Sequence, residues 1–308
     1  MTNGPQPQMV TDNGALTVPL VAQLARESTI ELSYHDLKDL EGSRRFLAPG
    51  KQVYVSFLSK QTWAQTQQAC RAVRAAGFDP VPHLPVRRLE SAQELAGILR
   101  ELVREAQITE VLLIAGDYAE ALGPFHCVAD VLRCGVLSGH GLHRVSLAGH
   151  PEGHPKVALD EIRRAEREKV ELVDRAGLDA SLLTQMFFDA VPFIDWAREL
   201  RSSGVRCRIV GGVAGPARIT TLFKFALRCG VGPSIRALGA RPTSLVKIIG
   251  DHGPHAVMRS LAEARVAQAI DFAGLHFFCF GGYLRTCEWL HQVAESRFVF
   301  NDSGGFDC

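Results

Sequence analysis

Two histidines four residues apart, His150 and His154, flank a glutamate in the stretch Leu147-Ala-Gly-His-Pro-Glu-Gly-His-Pro-Lys156. That spacing suits a metal held on one helix face, a catalytic base pair, or a loop that grips a ligand. The sequence argues against the helix. Pro151 and Pro155 each follow a histidine, and a residue before proline is pushed out of the α region. Gly153 breaks the segment further, so no metal is expected here. Other polar groups sit inside or just after apolar runs: Glu31 between Ile30 and Leu32, then His83, Asp117, Gln185 and Asp189. A carboxyl buried like Glu31 has its pKa raised toward neutrality, which a general acid needs. The alternative is a glutamate paired with a basic side chain. Asp117 follows Gly116 and also reads as a helix N-cap. Gln185, a lone amide among apolar neighbours, needs a partner once buried, and a ligand is the simplest one.

These groups must be positioned by short apolar runs rich in β-branched residues. Eight recur, at residues 28–33, 52–57, 80–83, 110–115, 144–148, 181–188, 206–210 and 274–280. Amphipathic helical patterns lie between most of them. Residues 92–104 place Leu95, Ile98, Leu99 and Leu102 on one face, and residues 161–176 are charged outside and apolar at Ile162, Val170 and Val173. Apolar strands alternating with helices predict a parallel sheet covered by helices. Eight units in one chain predict a single-domain (β/α)8 TIM barrel over residues 26–297. Residues 1–25 read as an N-terminal extension and residues 298–308 as a C-terminal tail, mobile over residues 301–308. The segment 230–252 is expected to form short helices. In such a barrel the chemistry sits at the C-terminal ends of the strands.

The 308 residues are 46% hydrophobic, and the formal net charge is only +1. No basic face stands out, so nucleic acid is not an expected partner. The eight cysteines fall at no zinc-site spacing and read as reduced thiols. The polar N-terminus lacks a signal-peptide core, and no apolar run is long enough to span a bilayer. A cytoplasmic, membrane-free protein is the expectation.

Several segments, taken in order, resemble the methylenetetrahydrofolate reductase family. Leu183-Thr-Gln-Met-Phe-Phe-Asp189 is similar to the family's I-T-Q-F-F-F-D. Ala148-Gly-His-Pro-Glu-Gly-His-Pro155 resembles A-x-Y-P-E-x-H-P, Ile114-Ala-Gly-Asp-Tyr118 resembles L-R-G-D, and Val81-Pro-His-Leu84 resembles A-P-H-L. Leu275-His-Phe-Phe278 is similar to F-H-F-Y. Val210-Gly-Gly-Val-Ala-Gly-Pro216 stands where the family has a P-G-I-x-P loop. The resemblance implies FAD lying across the strand ends and hydride transfer between flavin and the one-carbon unit of folate. It implies Glu31 as the acid and Asp117 as a catalytic carboxylate near flavin and pterin. Gln185, Asp117 and Ile219 would meet substrate. His83, Ala115, Gly116, Asp117, Ala148, His150, His154, Glu166 and Gln185 would line the flavin. A homo-oligomer, dimer or tetramer, is also implied.

The chain departs from the pattern. Ala115 replaces the family's arginine and His150 its tyrosine. A lysine for the flavin phosphates falls on Val173, with Arg167, Lys169 or His150 as possible substitutes. Ile219 aligns with the aromatic that stacks on nicotinamide and folate, and an aliphatic chain cannot stack. Poor use of NAD(P)H is therefore expected, with methyltetrahydrofolate oxidation or another electron-transfer partner in its place. Two alternatives stay open: a flavin-free pterin-binding barrel of methyltransferase type, and a non-catalytic folate-binding protein.

Overall fold

A computed structural model describes residues 13–229 and 253–308; the segment 230–252 expected to form short helices lies outside them. Eight parallel strands close into a barrel in sequence order. They are β1 (Thr29–Leu32), β2 (Gln52–Val55), β3 (Asp79–Pro85), β4 (Glu110–Ile114), β5 (Arg144–Gly149), β6 (Asp179–Met186), β7 (Arg208–Ala214) and β8 (Gly274–Phe278). The expected (β/α)8 barrel is what the chain forms. β7 differs at its ends. Val210-Gly-Gly-Val-Ala214, expected to leave the strand as a loop, continues it, because a side chain at Gly212 would stand 2.3 Å from the Thr184 carbonyl of β6. Glycine lets the two backbones meet.

Along each strand, side chains alternate between the barrel interior and the helix layer. Ile30 and Leu32 face outward into the main core, with Val53, Val55, Val111, Leu113, Val145 and Leu147. A smaller cluster of Tyr54, Val81, Leu112, Leu183 and Val210 fills the interior. The helices begin where the sequence supplies caps. Thr62 caps α3 (Trp63–Ala75) by accepting from Gln65 N, and Ser91 caps α4 (Ala92–Ala106) by accepting from Glu94 N. Asp189 caps α7 (Ala190–Ser202) through Val191 N.

α1 (Asn13–Glu27) occupies much of the segment expected to be an extension. It buries Val21, Leu24 and Ala25 and packs on β8, on α9 (His255–Val266) and on α10 (Tyr283–Ala294). The C-terminal segment, expected to be mobile, forms a hairpin of Val299–Phe300 with Phe306–Asp307. Phe306 is 2% exposed and meets His255 and Trp289. Burial of that ring is what orders the segment.

Candidate active site at the mouth of the barrel

Glu31 occupies the inward position of β1, paired in register with Tyr54 of β2. Its Oε2 lies 3.4 Å from His83 Nε2 of β3 and 3.8 Å from His276 Nε2 of β8. Oε2 and both Nε2 atoms are buried and have no hydrogen bond in the protein. The Tyr54 ring stands edge-on to His276 at 4.7 Å and to His83 at 6.1 Å. Its hydroxyl donates to Glu110 Oε1 at 2.9 Å, below the histidines. Ser146 donates to the same oxygen, and Gln52 and Arg144 to Glu110 Oε2. The Glu110 carboxylate is thus fully engaged beneath a polar mouth whose facing atoms are unbonded.

Burial raises the Glu31 pKa; His83 partly offsets this and Asp36 adds to it. Burial lowers His83 to about 4, against the opposing pull of Glu31, and lowers His276 to about 3. At neutral pH both rings are uncharged, and the carboxyl beside them holds its proton more readily than a solvated glutamate. That is the state a proton donor needs.

The β4 loop places Ala115, Gly116 and Asp117 on the rim. Gly116 has φ +86°, and a Cβ there would stand 2.9 Å from both Pro85 Cβ and the Tyr118 ring. The Ala115 carbonyl accepts from Arg87 N, and the Tyr118 carbonyl accepts from Arg87 Nη1. Asp117 is exposed on this loop. The N-cap reading fails, because the next helix, α5 (Val128–Arg133), starts eleven residues later behind Cys127.

The segment after β5 is a turn, as its prolines require. His150 and His154 have their rings 6.0 Å apart and edge-on. His154 is exposed, its Nδ1 accepting from Lys156 N. His150 is pushed down to about 4, first by burial and then by the Lys169 charge. Glu166, on α6 (Leu159–Arg175), is 1% exposed. Its oxygens accept from His150 N at 2.8 Å, Arg163 Nη1 at 3.1 Å and Trp196 Nε1 at 3.0 Å. A flavin contact was expected of Glu166. Instead its carboxylate is spent holding the β5 loop from behind.

Val173 is fully buried in the core between the helices and the barrel. Lys169 Nζ donates to the Ala148 carbonyl at the end of β5, at 3.1 Å. Burial lowers its pKa, with Glu166 opposing. Gln185 stands where the β6–β7 pairing slips, and its Oε1 accepts from Met186 N at 3.0 Å. Ile219 opens α8 (Ile219–Cys229), but its side chain lies outside the described residues.

The barrel brings Glu31 and His83 together and sets Asp117, Gln185, His150 and Ala148 around them on strand ends and loops. Sequence reasoning missed His276, Thr29 and Tyr54. Strand alternation was the available signal, since it turns all three inward with Glu31.

The family model described as Methylenetetrahydrofolate reductase matches residues 52–232, more than half of the chain. The chain belongs to the methylenetetrahydrofolate reductase family. Methylenetetrahydrofolate reductase (NADH) 1 of Arabidopsis thaliana is 26% identical over 145 residues, 42% of this chain and 23% of that protein. Methylenetetrahydrofolate reductase 2 of Saccharomyces cerevisiae is 28% identical over 115 residues, 37% of this chain and 18% of that protein. The match thus spans less than a quarter of these family members. Dihydropteroate synthase from Thermus thermophilus overlaps 87% of the chain and 94% of its own length, with a TM-score of 0.48 and 10% identity. Among the described residues no helix is long and apolar enough to cross a membrane, and seven cysteines are free.

Proposed function

We propose that the protein interconverts 5,10-methylenetetrahydrofolate and 5-methyltetrahydrofolate by flavin-dependent hydride transfer, with Glu31 as the acid. The observation that carries this is the Glu31 carboxyl, buried at the barrel mouth between two uncharged histidines and shifted toward its protonated form. Opening the five-membered folate ring requires a proton on a ring nitrogen before the one-carbon unit, as an iminium, accepts hydride. A neutral carboxylic acid is the natural donor. Gln185 keeps its NH2 donors for the pterin, because only its oxygen is used by Met186 N. Asp117, exposed on the rim, would receive the pterin amino groups.

The chain's residues fit FAD at the same mouth. His83 Nε2 is a buried polar atom awaiting a partner. Ala115, Gly116, Ala148, His150 and His154 lie on the strand ends and loops around it. Lys169 spends one bond on the Ala148 carbonyl and keeps two donors for a phosphate, whose negative charge would oppose the downward pull of burial on its pKa. The flavin, when bound, supplies the hydride carrier. The protein's share is to hold the pterin, keep Glu31 protonated and exclude water from it.

The reading extends to direction. An aliphatic Ile219 gives no ring for nicotinamide to stack on, so methyltetrahydrofolate oxidation, or an electron partner other than NAD(P)H, is favoured. A cytoplasmic homodimer or homotetramer completes it.

The test is the absorbance spectrum of the purified protein, followed anaerobically. Added methyltetrahydrofolate should bleach the flavin, and NADH should do so slowly. Rapid bleaching by NADH overturns the directional part. A protein that binds folate but stays colourless with added FAD overturns the flavin. Glu31→Gln should abolish turnover and spare ligand binding; unchanged turnover refutes the acid.

A further inference from the structure

Groups from four elements face the Glu31 carboxyl. His83 comes from β3, His276 from β8, the Tyr54 ring from β2, and Asp36 from the 3₁₀ turn Tyr34–Asp39 after β1. Both imidazoles present Nε2 to the same oxygen, Oε2, and none of the three atoms has a hydrogen bond. Three buried polar atoms left so close and unbonded carry a desolvation cost, and a hydrogen bond between them strengthens once charge develops on the carboxylate. Glu31 keeps 17% of its side-chain surface open, so a ligand can reach it.

His276 differs from His83 in being anchored on its other side. It is fully buried, and its Nδ1 lies 2.8 Å from Thr29 Oγ1. Thr29 is two residues before Glu31, on the same inward face of β1. A threonine hydroxyl donates or accepts by rotating. The His276 ring can therefore carry its proton on either nitrogen and keep this bond.

We propose that His276, fixed by Thr29, is a positioning residue that stabilises the carboxylate left when Glu31 gives up its proton. The proposal rests on Glu31 being the proton donor of the folate reaction. The proton passes from the Glu31 carboxyl to the substrate nitrogen, and the charge remains on the carboxylate. Oε2 then accepts from His276 Nε2–H, while Nδ1 accepts from the Thr29 hydroxyl. Neither ring gains or loses a net proton, so neither buried imidazole becomes charged.

The test reads the carboxyl directly. Infrared difference spectra over a pH titration, with Glu31→Gln as reference, give the Glu31 midpoint without folate. His276→Leu should move that midpoint upward by about one pH unit or more, since a hydrogen bond to the charged form is lost. His276→Gln, which keeps an N–H donor, should restore most of it. Thr29→Val should give an upward shift smaller than that of His276→Leu, and it keeps the test open if the leucine variant does not fold. A midpoint unmoved in Thr29→Val and in every folded His276 variant overturns the proposal. The pH profile of methyltetrahydrofolate turnover separates the two readings. Wild-type turnover with an unmoved midpoint sinks the role of His276 alone. A moved midpoint in a protein with no turnover supports His276 as Glu31's partner and sinks the folate reading.

Discussion

Glu166→Ala separates two roles for one carboxylate. If Glu166 lined the flavin, its loss would weaken cofactor binding and leave the flavin-free protein as stable as before. The structure assigns it to three protein donors instead. Removing it strands the Trp196 indole N–H and the His150 amide and takes from Arg163, itself 7% exposed, its most buried counter-charge. Breaking a buried ion pair from one side costs about 3–5 kcal/mol. Arg163 still donates to the His150 and Pro151 carbonyls and to Glu199. That places the cost at the low end, about 3 kcal/mol, or roughly 6–12 °C in the unfolding midpoint of a domain of this size. Glu166→Gln keeps an acceptor and should lose about half as much, because one unmet buried donor costs ~1–3 kcal/mol. Thermal unfolding of flavin-free protein, followed by far-UV circular dichroism, is the assay. An unfolding midpoint within about 1 °C of the wild type in Glu166→Ala would refute the loop-holding role.

Three further outcomes follow from the same geometry. Gly116→Ala should destabilise by about 1–3 kcal/mol, because φ +86° is strained for an L side chain and the new Cβ meets Pro85 and Tyr118; an unchanged denaturant midpoint would contradict it. His83 and His276 have folded pKa values of about 4 and about 3, below the unfolded 6.5. The unfolded chain therefore binds more protons below pH 6.5. Stability should be fully present above that value and fall as pH drops toward 4, by up to roughly 1.4 kcal/mol per unit for each ring. Urea titrations at pH 7, 5.5 and 4.5 should show the decline, and a flat profile would count against the buried neutral pair. Phe306→Ala should cost about 3–5 kcal/mol if the C-terminal hairpin is packed as described; a change below about 1 kcal/mol in urea unfolding would mean that the segment is not anchored by that ring.

Much of this protein is legible from local pattern. Alternation along each strand turns Glu31 inward between Ile30 and Leu32, and eight such runs separated by amphipathic helices leave few architectures besides a closed barrel. Pro151 and Pro155 exclude a helix around His150 and His154 without any structure, because their effect reaches only the preceding residue. The tertiary structure decided what depends on distant residues. His276 joins Glu31 because closure pairs β1 with β8, setting Thr29 beside a residue 247 positions away. The family resemblance makes Glu166 a ligand contact, and it becomes a loop anchor only when Trp196 arrives from α7 and the His150 amide from the β5 loop. Asp117 after a glycine suggests a cap, yet no helix begins there. The glycines after Val210 look like a loop until β6 is seen against them. Periodicity reports the face a residue occupies, whereas the partner it meets there is set by which strands and helices the folded chain brings to that face.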